Sequence, residues 1–194
     1  MLNRRAFTLI ELLIAITLVG MILLTISAVD IASRKFLNTA DYESRVQNEV
    51  SPILEMIAKD ITLGYGNDNN PGLYVPASTE VEIRRLDAAS PPRYDIFTDD
   101  PWVRYRYDSS THSIIKDSCT GSLSRCGTWG GPETLANNIS GCSFIIGIDP
   151  TLNKNLYVTI AITALRDASI SADINKNPQV ILQTRVAARS QSIH

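Results

Sequence analysis

The sequence has little of the material from which most catalytic and metal sites are built. It contains two histidines, His112 and His194, and three cysteines. It has no Gly-x-Ser-x-Gly elbow, phosphate-binding loop, HExxH helix or dinucleotide fingerprint. We therefore predict that the chain is not an enzyme and that it needs no cofactor.

The sequence also has no long cluster of residues with charge of one sign. The formal net charge is −2 and charged residues make up 20% of the chain. Outside the leader, basic residues are scattered except for the pairs Arg34-Lys35 and Arg84-Arg85. Nucleic-acid-binding domains usually carry a basic patch or stripe, so we do not expect a nucleic-acid partner. A hydrophobic content of 44% is typical of a globular protein and excludes extensive disorder.

One long apolar run dominates the N-terminal region. It extends from Phe7 to Val29 and contains a single ionisable residue, Glu11. As a helix it would be about 35 Å long, enough to cross a hydrocarbon core of about 30 Å. Arg4 and Arg5 precede the run, so the positive-inside rule predicts a cytoplasmic N-terminus. An acid inside a membrane span is costly and usually marks function.

The basic leader followed by Phe-Thr-Leu-Ile-Glu at residues 7–11 resembles the class III leader of type IV pilins and of the pseudopilins of type II secretion. The resemblance implies that a prepilin peptidase cuts between Ala6 and Phe7, and that Phe7 is then N-methylated. It also implies that Glu11 is the family's acid at the fifth mature position. The family favours glycine immediately before the cut, where this chain has the small residue Ala6.

Glu11 has a physical role that can be argued from its position. Cleavage before Phe7 would leave an amine at the cytoplasmic face, with Glu11 one helical turn deeper in lipid. Because an unpaired carboxylate is unfavourable there, we predict that Glu11 faces the terminal amine of a neighbouring subunit and sets the axial register between subunits. A contact with the Phe7 amine of the same chain is the alternative, since residues four apart share a helix face.

An ordinary secretory signal peptide is the competing interpretation of this segment. Ile26-Ser27-Ala28 could serve as a poor cleavage site. However, the apolar run is longer than the usual stretch of about 7–15 residues, and Glu11 lies where such a stretch is normally uncharged. A plain membrane anchor would not account for the Phe-Thr-Leu-Ile-Glu motif.

Helical periodicity continues beyond the apolar run. An apolar stripe is followed by Gly64-Tyr65-Gly66, which is typical of a helix C-cap, and charged residues lie on the opposite face. We predict one helix from about Thr8 to Leu63, with a kink or a break near residues 48–52 because of Pro52. The stripe is formed by Val46, Val50, Ile53, Ile57 and Ile61, and the charged face by Glu43, Arg45, Glu49, Glu55 and Lys59.

The remaining sequence predicts strands. Alternation is clearest in Leu156–Leu165 and Gln179–Ala187, while residues 117–134 have the composition of a loop. We predict an α+β fold, in which the long helix packs on an antiparallel sheet. The predicted division is a leader (1–6), a transmembrane and assembly helix (7–29), an amphipathic helix (30–63) and a β-rich head (64–194). Further strands are predicted at Val81–Leu86, Tyr94–Thr98, Trp102–Tyr107, Ser113–Lys116 and Ile139–Ile148.

The three cysteines lie in a chain whose leader directs it to a compartment that permits disulfides. We favour a Cys119–Cys126 bond because the six residues between them form a short, turn-rich loop, with Cys142 as a buried strand residue. Cys126 with Cys142 is the main alternative.

Calcium is the only metal that the sequence brings into consideration. Asp173, Asn175 and Asn177 alternate like the start of a calcium-binding loop. Pro178 stands where glycine is needed, however, and Thr184 stands where the bidentate glutamate belongs. We therefore predict no metal site, and these three residues remain weak candidates.

The resemblance implies a minor pilin or a minor pseudopilin of the J type, and the subtype rests on length and strand layout. It implies a bacterial inner-membrane protein with a periplasmic head that later enters a type IV pilus or a type II secretion pseudopilus. The implied partners are other pilins or pseudopilins, the prepilin peptidase and an inner-membrane assembly platform. Two alternatives remain open: a ligand-binding tip subunit (an adhesin or a DNA-uptake pilin) and a membrane-anchored enzyme.

Overall fold

A long helix precedes the strands that the structure describes. The computed structural model describes residues 8–66, 71–86, 100–120, 126, 128–149, 154–173 and 177–187. Helix α1 (Leu9–Thr62) is followed by eight strands within these ranges. The chain divides into two units, residues 1–42 and 43–194, so that α1 belongs to both. The predicted strand Tyr94–Thr98 lies outside the described residues.

The C-terminal part of α1 buries the stripe that the sequence predicts. All five stripe residues are buried, and the five charged residues on the opposite face are exposed. The stripe therefore faces the core of the second unit, as an amphipathic helix does on a sheet. Leu54 and Asp60 are also buried on this side.

Pro52 lies inside α1 without ending it. Proline removes one backbone N–H donor from a helix, and we expected either a kink or a break at this point. The helix continues for ten residues beyond Pro52, so the prediction of a break is wrong. Burial of Ile53, Ile57 and Ile61 against the core holds these turns in place.

The end of α1 is joined to the first strands by backbone hydrogen bonds. Gly64 N–H donates to the Ile61 carbonyl at 3.1 Å, and Tyr65 N–H donates to the Arg84 carbonyl at 3.0 Å. A Cβ atom on Gly72 would collide with the carbonyl of Tyr65, so only glycine allows this close approach. Helix α1 ends at Thr62, so the predicted helix end at about Leu63 is confirmed to within one residue.

The described strands form two antiparallel sheets rather than the single sheet predicted. The first has five strands in sequence order, and the second has three. The first consists of β1 (Leu73–Ala77), β2 (Glu80–Arg84), β3 (Pro101–Asp108), β4 (Ser113–Thr120) and β5 (Gly130–Ala136). The second consists of β6 (Ile139–Asp149), β7 (Lys154–Leu165) and β8 (Gln179–Val186).

Two strands were not predicted. Strand β1 contains Pro76, and β5 begins with Gly130-Gly131-Pro132 and is mostly exposed, so neither shows the alternation that indicates a half-buried strand. The loop predicted at residues 117–134 is wrong at both ends, because β4 continues to Thr120 and β5 begins at Gly130. Pairing with β4 holds β5 in place despite its composition.

The inner faces of the strands supply most of the core. Val81 and Ile83 of β2 and Tyr105 of β3 are fully buried, and Val158, Ile160 and Ile162 of β7 are buried in the same way. The alternation predicted for β7 and β8 is confirmed by their register, which pairs Leu165 with Gln179 through to Val158 with Val186 without a shift. The fold class predicted from the sequence, a long helix on antiparallel strands, is confirmed.

Candidate functional site

The helix α1 begins with a reciprocal cap formed by Thr8 and Glu11. The backbone N–H and the hydroxyl of Thr8 donate to Glu11 Oε2 at 2.8 and 2.9 Å. The Glu11 N–H points back to Thr8 Oγ1 at 3.3 Å. This is a capping box, in which a threonine and a glutamate three residues later satisfy each other's backbone donors.

The cap matters because of where the helix begins. The first N–H groups of a helix have no partner within the helix, and lipid offers none. The carboxylate also lies at the positive end of the helix dipole, where a negative charge is stabilised. Both described hydrogen bonds to the Glu11 side chain end on Oε2. Within the described residues Oε1 therefore remains able to accept a hydrogen bond from another group.

The other polar side chains of the apolar segment are satisfied within the helix. The hydroxyls of Thr17 and Thr25 donate to carbonyls three residues earlier at 2.8 Å, and the hydroxyl of Ser27 donates to the Leu23 carbonyl at 2.9 Å. Between Leu9 and Val29, Glu11 is the one ionisable side chain. Its Oε1 is thus the one side-chain oxygen of this segment without a hydrogen bond among the described residues.

The apolar side chains of this segment are uncovered. Leu9, Ile16 and Leu24 are all strongly exposed, and α1 is long and apolar enough to cross a membrane. A soluble protein would not normally leave such a surface in water. The segment therefore has the properties of a single-pass membrane anchor. Arg4, Arg5, Ala6 and Phe7, the predicted leader charges and processing residues, lie outside the described residues, and the contact between Phe7 and Glu11 lies there too.

The head contains the disulfide that the sequence favours. Cys119 at the end of β4 is bonded to Cys126, with a Cα–Cα distance of 6.4 Å. Cys142 is a free, buried thiol in β6, and burial raises its pKa to about 12. The alternative pairing of Cys126 with Cys142 is therefore wrong.

Two of the three weak calcium candidates, Asp173 and Asn177, lie within the described residues. The Asn177 amide is buried and donates from Nδ2 to the carbonyls of Asp167, Ile170 and Ser171, while its oxygen accepts the Asp167 N–H at 2.9 Å. Asp173 is joined to Asn177 through reciprocal backbone hydrogen bonds. Asn175 lies outside the described residues. Asn177 therefore closes a loop, and no cluster of three or more metal-binding side chains occurs in the part of the chain that is described.

Two polar clusters hold the first sheet together. Asp117 accepts hydrogen bonds from Arg104 and Arg106 at 2.8–3.0 Å, and the Arg104 guanidinium also lies over the Trp129 ring. On the opposite face of β3, the Tyr105 hydroxyl donates to buried Asp60 of α1 at 2.7 Å. Burial and this hydrogen bond raise the pKa of Tyr105. Because both arginines are paired with an acid, this cluster offers no free basic patch that would favour a DNA-binding head.

A groove of about 750 Å³ opens on the first sheet, in the size range of small-molecule sites. Its walls include Trp102, Lys116, Ser118 and Glu133. Within the described residues, the Ser118 hydroxyl has no hydrogen bond to a base that would make it a nucleophile. The groove therefore gives no specific support to the alternative of an anchored enzyme.

Sequence reasoning missed two functional contacts. The Thr8–Glu11 cap was visible as a Thr-x-x-Glu pattern directly before an apolar run, which is a capping-box signature. The Asp60–Tyr105 bond had no such signal, because its partners are 45 residues apart. An acid at position 60 fits the charged pattern of a helix, and only the fold shows that it is buried.

Comparison with known proteins agrees with these features. The family model for the prokaryotic N-terminal methylation motif matches residues 1–27. A type IV-like pilin from Thermus thermophilus has a similar structure, with a TM-score of 0.50 and 12% sequence identity over 74% of this chain and 97% of that chain. No curated protein matches the sequence. The chain therefore carries a prepilin-type leader motif on a pilin-like fold, which together indicate a structural subunit.

Proposed function

We propose that the chain is a minor pilin or minor pseudopilin, a subunit that enters or initiates a type IV pilus or a type II secretion pseudopilus. The observation that carries the proposal is Glu11, a capped carboxylate inside an otherwise apolar, uncovered helix, with one oxygen that accepts no hydrogen bond from the described residues. Such a helix is suited to packing against other helices of its kind. Before assembly, lipid would cover the same surface.

Processing would complete the site. A prepilin peptidase would cut between Ala6 and Phe7, Phe7 would be methylated, and its amine would carry a positive charge near the cytoplasmic face. The Phe7 amine of an incoming subunit would then pair with Glu11 of its neighbour. The carboxylate would keep its bonds to Thr8 through Oε2 while Oε1 accepts from the amine, so that capping and assembly use different oxygens.

The proposed location follows from the same features. The anchor would span a bacterial inner membrane, with the N-terminus kept in the cytoplasm by Arg4 and Arg5 and the head in the periplasm. The Cys119–Cys126 bond fits that compartment because disulfides persist there. The proposed partners are other pilins or pseudopilins, the prepilin peptidase and an inner-membrane assembly platform.

Two substitutions separate the roles of the cap and of the charge. Glu11→Gln keeps an acceptor for Thr8 and removes the negative charge, whereas Thr8→Ala removes the hydroxyl half of the cap and keeps the charge. The experiment expresses each full-length variant in the native host, shears the surface filaments and measures the subunit in the sheared and membrane fractions by immunoblotting.

We expect Glu11→Gln to remain in the membrane fraction, with at least a tenfold loss from filaments, because the terminal amine loses its ionic partner. We expect Thr8→Ala to stay within about fivefold of the wild-type level, since a lost cap costs about 1 kcal/mol. Equal incorporation of Glu11→Gln and wild type would show that the charge has no assembly role and would contradict the proposal.

A further inference from the structure

The two described sheets have four edge strands, β1, β5, β6 and β8. An edge strand presents unpaired backbone N–H and C=O groups, and proteins usually protect such edges with short strands, prolines, bulges or charges. The four edges of this protein differ sharply in how far they are protected.

Both edges of the first sheet are protected. Strand β1 has five residues, contains Pro76 and shifts register between Tyr74 and Ala77. Strand β5 contains Pro132 and Glu133, and its pairing with β4 shifts register twice. Neither edge offers a long, regular row of backbone groups to another strand.

The β6 edge of the second sheet is also interrupted. Its register with β7 shifts near both ends, between Ile139 and Gly141 and between Gly147 and Ile148. In its middle, the Phe144 N–H donates to the Ser78 carbonyl at 2.7 Å, in the turn between β1 and β2. Part of this edge is therefore already in use.

Strand β8 has none of these protections. Its eight residues, Gln179–Val186, include no proline, glycine or lysine, and all eight pair with β7 without a register shift. No strand lies on its other side within the described residues. About half of its backbone groups point away from β7, because antiparallel strands alternate in this way.

The one charge on β8 does not protect the edge. The Arg185 guanidinium lies over the Tyr157 ring of β7, 4.3 Å from its centre, and is thus directed back across the sheet. Gly147 makes room for that ring, since a Cβ atom at this position would collide with it. The cation–π contact therefore draws the charge away from the edge.

The core also ends incompletely at this edge. Ile160 and Ile162 of β7 are fully buried. Their partners on β8, Thr184 and Leu182, are only half-buried. On the outer face, Ile181 is 61% exposed. A further strand beyond β8 would cover these side chains as well as bond to the backbone.

We propose that this further strand is β8 of a second copy of the chain, paired antiparallel about a two-fold axis. The strand is complementary to itself in this arrangement. When the axis passes through Leu182, Ile181 of each copy lies opposite Gln183 of the other, and Arg185 lies opposite Gln179. No like charges face each other, and the two exposed Ile181 side chains become diagonal neighbours.

Chemical cross-linking of the full-length chain in detergent micelles tests this pairing. Gln183→Cys places an exposed thiol on β8, and a short bis-maleimide reagent joins two such thiols that lie close together. The parent chain gives the background, because Cys142 is its free thiol and is buried. We expect a cross-linked dimer from Gln183→Cys and none from the parent.

Charge substitutions at Ile181, made in the Gln183→Cys chain, show whether the second strand is another copy. Ile181→Lys and Ile181→Glu should each lose the cross-linked dimer, because like charges become neighbours, and an equal mixture of the two should restore it. Ile145→Lys is the matched control, since Ile145 is 57% exposed on the same face but lies on β6.

The Ile145→Lys control, made in the same Gln183→Cys chain, should give as much cross-linked dimer as Gln183→Cys alone. Four results would overturn the pairing: no dimer above background, undiminished cross-linking of Ile181→Lys, no recovery in the mixture, or loss of the dimer in Ile145→Lys. The mixture also guards against misfolding, because two misfolded variants would not restore each other. The test reads β8 alone, so its outcome is independent of processing at Phe7.

Discussion

Glu11 lies at the start of α1, and one of its carboxylate oxygens caps the helix. Oε2 accepts both hydrogen bonds from Thr8, which completes the helix cap. This arrangement explains how an acid can occupy a membrane helix without unravelling its first turn. It also leaves the carboxylate able to bind a neighbour, which is why the charge, rather than the cap, is expected to govern assembly.

Cys142 illustrates how burial controls chemistry at a single residue. Because its pKa is raised to about 12, the thiol stays protonated at neutral pH and does not form the reactive thiolate. We predict that iodoacetamide at pH 7.5 leaves the folded protein unmodified. After unfolding without reductant, mass spectrometry should show one modified thiol, and after reduction three. Modification of the folded protein at Cys142 would contradict its assigned burial.

Tyr105 connects the sheet to the helix through one hydroxyl. Tyr105→Phe removes the donor to Asp60, whose remaining described partner, Arg85, is 3.7 Å away. We predict a decrease of about 1–3 kcal/mol in the free energy of unfolding, because a buried carboxylate loses a hydrogen bond. Chemical unfolding of the wild-type and Tyr105→Phe full-length chains in detergent measures this change in the free energy of unfolding.

Tyr107→Phe is the matched control for that substitution. Its hydroxyl donates to the Ile139 carbonyl at 3.1 Å in a half-buried position. A neutral hydrogen bond of this kind contributes about 0.5–1.5 kcal/mol. A larger loss for Tyr107→Phe than for Tyr105→Phe would show that the Asp60 contact is not the stronger link.

At the scale of elements, the features that could be predicted from the sequence are those determined by residues close together in the chain. The buried stripe of the helix from Val46 to Ile61 and the alternation in β7 could be predicted from the sequence. In each case the spacing of the apolar residues places them on one face of the element, which is the buried face. The Cys119–Cys126 bond could be predicted because the two cysteines are only seven residues apart in the sequence. Strands β1 and β5 could not be predicted, since neither alternates clearly and both contain a proline, which is tolerated at a sheet edge. Strand β5 is in addition held by non-local pairing with β4.

The division into two sheets was hidden for the same reason. A short two-residue turn at Asn137 and Asn138 separates β5 from β6, yet the chain enters a different sheet there. Asn138 has a φ of 60°, a left-handed conformation that asparagine adopts more readily than most residues. The sequence shows a turn at this point, but nothing in it shows that the following strand joins new partners.

Pro52 offers a test of what holds the second half of α1. The helix continues through it, so packing of the buried stripe outweighs the lost backbone hydrogen bond. We predict that Pro52→Ala raises the free energy of unfolding by up to about 3 kcal/mol, because alanine restores the N–H donor. Glu49→Ala, an exposed substitution one turn earlier, should change it by less than about 0.5 kcal/mol. A destabilised Pro52→Ala would show that the proline is required by the fold.

At the scale of the whole molecule, the two units meet different physical requirements. The N-terminal part of α1 has an apolar surface that only lipid or other helices can cover. The head has its own core, a disulfide and satisfied polar clusters. This combination, together with the methylation motif at residues 1–27, is what a subunit stored in a membrane and later moved into a filament would need.

The proposed function depends on processing of the leader before the subunit enters a filament. Mass spectrometry of the N-terminal peptide, from protein isolated from its native host, tests this most directly. Ala6→Gly serves as a matched variant, because the pilin resemblance favours glycine before the cut, and it should be processed at least as completely as wild type. A host lacking prepilin peptidase should retain Met1. We predict that the wild-type peptide begins with N-methylated Phe7, whereas an intact Met1 or a start at Val29 would show that the leader is not processed as a prepilin.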